Sequence, residues 1–378
     1  MATFVLLYSD TGGGHRTAAD SIRQAFSLLN GHSHRVEVVN AIRYLPRPFN
    51  RSEATYRIAI NHARWLHHLN YLLLDDVTRM EVVGALLSRL DGERLQALFC
   101  EHPANVYVSC QPHFNPFIPR AMRLWAPQAR YAHVVTDLSH IHSFHVAPLA
   151  QLVTTPTEEA RAELLARGLS PQRVITTGQP VMPSLEARVR RGAGWRAARG
   201  LRSDLPVALL LSGGEGGGLL DRTARAIVRA GLPLQLVVVC GRNQALYQSL
   251  SRAISSPMTH VLGFVDDVPE WMGAADILIT KAGSTTLAEG FVAGLPIIIF
   301  DALPGQEEGP RDYAVSHGAA AWCPTPEAVV AQLRQWLNDP SSLARVQQAS
   351  RALARPRAAL DIAQALLRLV AEDDQTSE

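Results

Sequence analysis

A chain of 378 residues with 47% hydrophobic and 19% charged residues is too long for one ordinary core, and it reads as two globular domains. Its net charge of +2 and 6% aromatic content argue against a nucleic-acid binder driven by phosphate attraction. Cys100, Cys110, Cys240 and Cys323 form no CxxC pair and read as reduced thiols, and the apolar runs fall far short of the roughly 20 residues a transmembrane helix needs.

The N-terminus has neither a basic start nor a small-residue cleavage site, so no signal peptide is expected. A buried-strand pattern opens the chain at Thr3 to Tyr8, followed by the loop Ser9-Asp10-Thr11-Gly12-Gly13-Gly14-His15. Ala18, Ile22, Ala25, Phe26 and Leu29 then recur at helical spacing. Further strands are expected at Val36 to Val39, Asn105 to Ser109, Tyr131 to Thr136 and Leu152 to Thr154, with helices such as Ser52 to Trp65 and Glu158 to Arg167 between them.

The same grammar restarts after Val181. Arg188 to Arg202 reads as a basic linker leading into a short helix. Strand Val207 to Leu211 runs into a second glycine loop, Ser212 to Gly218, and helix Leu219 to Ala230 follows. Strands Leu234 to Cys240, His260 to Phe264, Ile277 to Thr280 and Pro296 to Phe300 continue the alternation, and helices Pro326 to Asn338 and Leu343 to Val370 close it. Alternating strands and helices predict an α/β protein with parallel sheets covered on both faces, here two doubly wound domains facing a cleft.

Of the 36 basic residues only Lys281 is a lysine, and it precedes Ala282-Gly283-Ser284-Thr285-Thr286-Leu287-Ala288-Glu289. A point charge beside a Gly/Ser/Thr loop points to phosphate oxygens; the plainer reading is a surface accident. Gly12 to Gly14 follow a strand and open a helix, where backbone amides favour anions or sugar hydroxyls, but the spacing is not that of a dinucleotide motif. His15 lies at the carboxyl end of the first strand, where open α/β sheets bind ligands. It can take a proton from a hydroxyl or simply pack, and Asp137 can orient it or simply cap a turn. Gln111 and His113 are placed to line the cleft or to end a strand. His140, His142 and His145 lack the cysteine or carboxylate partners of a familiar zinc site, so no metal is expected.

Nine blocks in order carry a resemblance that covers nearly the whole chain. They are Ser9 to Arg16, Pro48-Phe49-Asn50, Val135 to Ser139, Gly178-Gln179-Pro180-Val181, Gly213-Gly214-Glu215-Gly216, Cys240-Gly241-Arg242-Asn243, Gly263-Phe264-Val265, Lys281-Ala282-Gly283 and Pro304-Gly305-Gln306-Glu307. Together they resemble the monogalactosyldiacylglycerol synthases and their bacterial diacylglycerol glucosyltransferase relatives. These are inverting glycosyltransferases of the GT-B type, akin to the peptidoglycan lipid-intermediate N-acetylglucosaminyltransferase.

The resemblance implies an acceptor domain over 1–182, a UDP-sugar domain over 183–345 and a C-terminal helix, 346–378, packing back toward the first domain. It makes His15 the general base, with Gly13, Gly14, Pro48 and Asp137 on the acceptor side. Gly213, Gly214, Glu215, Arg242, Phe264, Val265, Ser284, Thr285 and Glu289 would hold the nucleotide and diphosphate, and Gln306 and Glu307 the donor sugar. Ser284-Thr285 stands where plant members usually carry Pro-Gly.

The implied reaction moves a hexose, galactose ahead of glucose, from UDP-galactose or UDP-glucose to diacylglycerol, with no cofactor. An epimerase acting on UDP-N-acetylglucosamine and a non-catalytic lipid or nucleotide sensor are the alternatives. Basic and aromatic residues between Arg43 and Trp65 suit a membrane surface, as the arginines at 188–202 suit anionic lipid; packed and solvated helix faces are the plainer readings. The expected location is the cytoplasm, peripheral on the inner face of the cell membrane.

Overall fold

The structure is a computed structural model that describes residues 1–11, 13–30, 33–53, 64–192, 194–214 and 216–376. The chain divides into two compact units. Unit 1 comprises Met1–Pro183, Pro304–Gly309 and Arg357–Glu378, and unit 2 comprises Ser184–Leu303 and Pro310–Pro356.

Unit 1 is built on a six-stranded sheet in the order β2-β1-β3-β4-β5-β6. The strands are β1 (Thr3–Tyr8), β2 (Arg35–Asn40), β3 (Val106–Ser109), β4 (Arg130–Val134), β5 (Leu152–Thr155) and β6 (Val174–Thr176), and every pairing is parallel. Because side chains alternate along a strand, β1 feeds two cores. Val5 and Leu7 join Tyr107, Tyr131 and Val153 on one face. Phe4 and Leu6 pack on the other with Ala18, Ile22 and Phe26 of helix Gly14–Asn30 and Ile362 and Leu366 of helix Ala358–Thr376. Burial on both faces is why β1 is a continuous apolar run.

Unit 2 repeats the plan with the order β12-β11-β10-β7-β8-β9. Its strands are β7 (Val207–Leu211), β8 (Gln235–Val239), β9 (Thr259–Leu262), β10 (Ile277–Lys281), β11 (Ile297–Asp301) and β12 (Ala320–Trp322), again all parallel. Strand order reverses between β1 and β3 in one sheet and between β7 and β10 in the other. Crevices at the carboxyl ends of strands open at such reversals.

Several expectations change. The edge strands β6 and β12 have three residues each, too short for a periodicity to show. Leu343 to Val370 is two helices, Pro340–Ala352 and Ala358–Thr376, separated around Pro356, whose ring removes a backbone donor. Most of the expected helix Ser52 to Trp65 lies outside the described residues, and helix Arg64–Leu74 follows it.

The basic stretch at 188–202 is not a linker. Arg188 and Arg191 pair with the buried Glu270 at 2.6 and 3.0 Å, Arg196 with Asp276 at 2.7 Å and Arg199 with Asp267 at 2.8 Å. Arg190 and Arg202 pair with Glu186 and Asp204. These carboxylates take the guanidinium groups that the sequence offered to anionic lipid. Among the described residues no helix is long and apolar enough to cross a membrane.

Candidate active site

In unit 1, β1 ends in the first glycine loop. Gly12 lies outside the described residues; Gly13 has φ +80°, a conformation that favours glycine, and Gly14 begins the helix that carries His15. The His15 Nδ1 lies 2.8 Å from the carbonyl oxygen of Cys110, just past β3, and Thr136 Oγ1 lies 3.3 Å from the same nitrogen. A carbonyl can only accept, so Nδ1 carries the hydrogen and Nε2 keeps its lone pair. This bond joins the ends of β1 and β3, the pair at the sheet's reversal point. Burial lowers the His15 pKa to about 4, opposed by the charge of Asp137 and reinforced by that of His145. The ring is therefore neutral at neutral pH and able to accept a proton.

Asp137 does not orient this imidazole by hydrogen bonding. Its Oδ2 accepts from His145 Nε2 at 3.0 Å, and it reaches His15 through charge. The side chain of His145, eight residues further on, occupies the carboxylate, and the Cys110 carbonyl already holds His15. Burial raises the Asp137 pKa, but the hydrogen bond and charge of His145, with the charges of His15 and His142, outweigh it and hold the carboxyl below its ordinary value.

His142 Nε2 donates to the Tyr71 carbonyl at 3.0 Å, and its Nδ1 accepts from Phe144 N at 3.1 Å. Gln111 Nε2 donates to Thr11 Oγ1 at 3.2 Å and lies 2.9 Å from His113 Nδ1, beside the glycine loop. Pro48 is exposed ahead of the short turn Phe49–Arg51, and no described hydrogen bond ties it to His15.

Sequence reasoning passed over His133. It is fully buried in the apolar strand β4. A histidine within such a run was the available signal, since a buried imidazole needs partners.

In unit 2 the second glycine loop follows β7. Glu215 lies outside the described residues. Gly213 and Gly216 have φ +65° and +53°. A Cβ on Gly216 would lie 1.8 Å from the Cys240 carbonyl oxygen, and one on Gly241 2.4 Å from that of Gly214, so two glycine backbones interlock at the ends of β7 and β8. Arg242 N donates to Gly214 O at 2.8 Å, and its guanidinium lies 4.7 Å from the centre of the exposed Phe264 ring. Val265 is half-buried beside it in sequence.

Lys281, the last residue of β10, reaches the same loop: its Cε is 3.5 Å from where a Gly213 Cβ would sit. Two cations thus flank a glycine loop at the reversal between β7 and β10. Helix Ser284–Ala293 starts just beyond, placing Ser284 and Thr285 in its first turn, where free amides favour anions. Glu289 is half-buried on this helix. Burial raises its pKa to about 7, opposed by the charge of Arg188.

The half-buried Gln306 and the buried Glu307 belong with unit 1 rather than with the glycine loop of unit 2. Their loop is fastened within unit 1: Ser139 Oγ donates to Gly309 O at 2.8 Å, and a Cβ on Gly305 would sit 2.8 Å from the Tyr71 ring.

Two parallel α/β units, one offering a neutral histidine and the other cations around a glycine loop, define a GT-B type glycosyltransferase. The family described as monogalactosyldiacylglycerol (MGDG) synthase matches residues 15–181, and that described as glycosyl transferases group 1 matches residues 223–353. A probable monogalactosyldiacylglycerol synthase 2, chloroplastic, of Oryza sativa subsp. japonica is 32% identical over 95% of this chain and 78% of its own length. The chain belongs to the monogalactosyldiacylglycerol synthase family.

The fold is shared more widely. A UDP co-structure of S. aureus MnaA superposes with a TM-score of 0.62 at 13% identity, over 98% of this chain and 97% of its own. Acinetobacter baumannii MurG superposes with a TM-score of 0.61 at 16% identity, over 97% and 100%. The plant synthases are chloroplastic, which overturns the expected placement in the cytoplasm on the inner face of the cell membrane. Loop chemistry and strand pattern report a reaction and a fold; they carry no compartment address.

Proposed function

We propose that this glycosyltransferase moves a hexose, galactose by preference, from a UDP-sugar to 1,2-diacylglycerol with inversion, giving a β-glycosyl diacylglycerol. The observation that carries the reading is the Nδ1-anchored His15, whose Nε2 lone pair is left to act as base. The acceptor hydroxyl passes its proton to Nε2 as its oxygen bonds to the anomeric carbon and the bond to UDP breaks. One in-line displacement turns an α-linked donor into a β-linked product.

The leaving diphosphate gains negative charge. Arg242, Lys281 and the first turn of helix Ser284–Ala293 supply positive charge and donors around one loop, so the proposal includes no metal. In this reading Glu289 accepts hydrogen bonds from the ribose hydroxyls, and Gln306 and Glu307 meet the sugar. The name of the rice relative supports the lipid acceptor and the galactosyl donor.

Exposed apolar side chains support a lipid-facing surface on unit 1. Trp65, Leu69, Leu72 and Leu73 lie on helix Arg64–Leu74, and Val82 and Leu86 on helix Val77–Leu90; a run of this kind suits contact with lipid.

The test is UDP release from UDP-galactose and UDP-glucose in competition, with and without diacylglycerol vesicles, followed by sugar analysis of the lipid. Release that depends on diacylglycerol and a galactolipid product are expected. Release indifferent to the lipid removes the acceptor assignment, and a glucolipid product replaces the donor.

A further inference from the structure

Behind His15 lies a chain of buried hydrogen bonds that the proposed reaction does not use. His133 Nδ1 faces the Ser109 carbonyl at 3.1 Å, and its Nε2 lies 2.9 Å from His145 Nδ1. His145 Nε2 lies 3.0 Å from Asp137 Oδ2. Both histidine side chains are fully buried, and Asp137 is 18% exposed.

Proton counting along this chain has few solutions. The Ser109 carbonyl can only accept, so His133 Nδ1 carries hydrogen. Burial keeps His133 well below the ordinary histidine range, so that ring is neutral and its Nε2 is a bare acceptor. His145 Nδ1 must then donate to it. The other nitrogen of His145 meets a carboxylate, which also accepts. His145 therefore needs hydrogen on both nitrogens, or Asp137 must carry the proton itself; either way the pair holds one proton more than a carboxylate beside a neutral imidazole. Of the two groups a carboxyl is ordinarily the stronger acid, which places that proton on His145.

We propose that His145 is a buried imidazolium paired with Asp137, and that it acts as a positioning residue which keeps this carboxylate charged and fixed beside His15. The second half rests on the reading of His15 as base. When His15 takes the acceptor's proton it becomes cationic, and an ionised Asp137 stabilises it without touching it.

Titratable groups near the pair have contacts of their own. His142 is bonded at both ring nitrogens. The Tyr71 ring lies tilted against that of His142, with centroids 4.4 Å apart. Asp75 accepts from Ser143 and pairs with Arg167 at 3.2 Å.

Nitrogen-15 NMR of the histidine-labelled full chain at pH 7.5 reads the proton directly. One buried ring with hydrogen on both nitrogens is expected, and it should vanish in Asp137→Asn. A wild-type spectrum showing only singly protonated buried rings overturns the pair, whatever the enzyme's substrate. The positioning role is read from pH profiles of kcat/KM with diacylglycerol. His145→Gln keeps a donor toward Asp137 but removes a positive charge near His15. Turnover should drop about tenfold or more, and the acid limb should move toward neutral pH. An unmoved limb with a lowered rate marks a merely structural role and overturns the positioning claim. Failure of diacylglycerol to be glycosylated by the wild type removes the proposed function and leaves the NMR result standing.

Discussion

His15 Nδ1 and the Cys110 carbonyl oxygen meet at 2.8 Å across 95 residues of sequence, at the reversal point of the first sheet. That bond fixes one tautomer and leaves Nε2 as the only site on the ring for the acceptor's proton. His15→Ala should lower kcat by about 10²- to 10⁴-fold, the range for a lost general base. UDP should bind the variant as it binds the wild type, because the proposed nucleotide loops belong to the other unit. Turnover and calorimetric UDP titration check both halves. A rate like that of the wild type takes His15 out of the mechanism.

On the proposed ribose contact, Glu289 should make nucleotide binding depend on pH. Burial raises its pKa to about 7, so the free protein holds much of this carboxyl protonated at neutral pH. Ribose hydroxyls donate best to the ionised form. Binding therefore draws the proton off, and affinity for UDP-glucose should rise about tenfold between pH 6 and pH 8. The sugar nucleotide is the right probe because its bridged diphosphate does not titrate there. Glu289→Gln should flatten the profile. For stability the sign is opposite: the folded state favours the protonated carboxyl, so this contribution is present below the ordinary value of 4.5 and is lost as pH rises through about 7. A flat wild-type affinity profile would remove Glu289 from the ribose site.

Much of this is legible in the sequence, for a physical reason. Strands covered on both faces must be apolar throughout, so β1, β7 and β10 stand out, and each runs into a loop at its carboxyl end. His15, both glycine loops and Lys281 stand out in that way. Partner choice is not legible. Asp137 takes His145 rather than His15, and Arg188 and Arg196 take carboxylates 82 and 80 residues away. Such choices depend on which strand ends are neighbours, and periodicity does not encode strand order. The grouping of Pro304–Gly309 with unit 1 depends likewise on Tyr71 and Ser139, far off in sequence.

Two neighbouring glycines of the second loop should respond unequally to the same change. Gly216 combines φ +53° with a would-be Cβ 1.8 Å from a backbone oxygen, so Gly216→Ala must move the Cys240 segment. A cost of about 1–3 kcal/mol is expected, with weaker UDP binding. Gly217 has no heavy atom within 4 Å of its would-be Cβ, and its backbone is not left-handed. Gly217→Ala should therefore be close to neutral. Thermal unfolding of the two variants side by side is the measurement, and equal midpoints contradict the interlock.

Arg188 joins the stability of unit 2 to the chemistry of Glu289. It pairs with Glu270 at 2.6 Å, and the side chains are 19% and 5% exposed. Burial raises the Glu270 pKa, but hydrogen bonds and charge, those of Arg188 foremost, hold it below its ordinary value. The pair thus stabilises the fold above the ordinary Glu range and loses that contribution as pH falls through the lowered value. Arg188→Met leaves a buried carboxylate with the exposed Arg191 as its remaining described cationic partner, and should cost about 2–4 kcal/mol at neutral pH. The same change removes a charge that opposes the raised pKa of Glu289. The rise in UDP-glucose affinity should then move to higher pH than in the wild type. A loss of stability with an unmoved binding profile would show that Arg188 serves the fold alone.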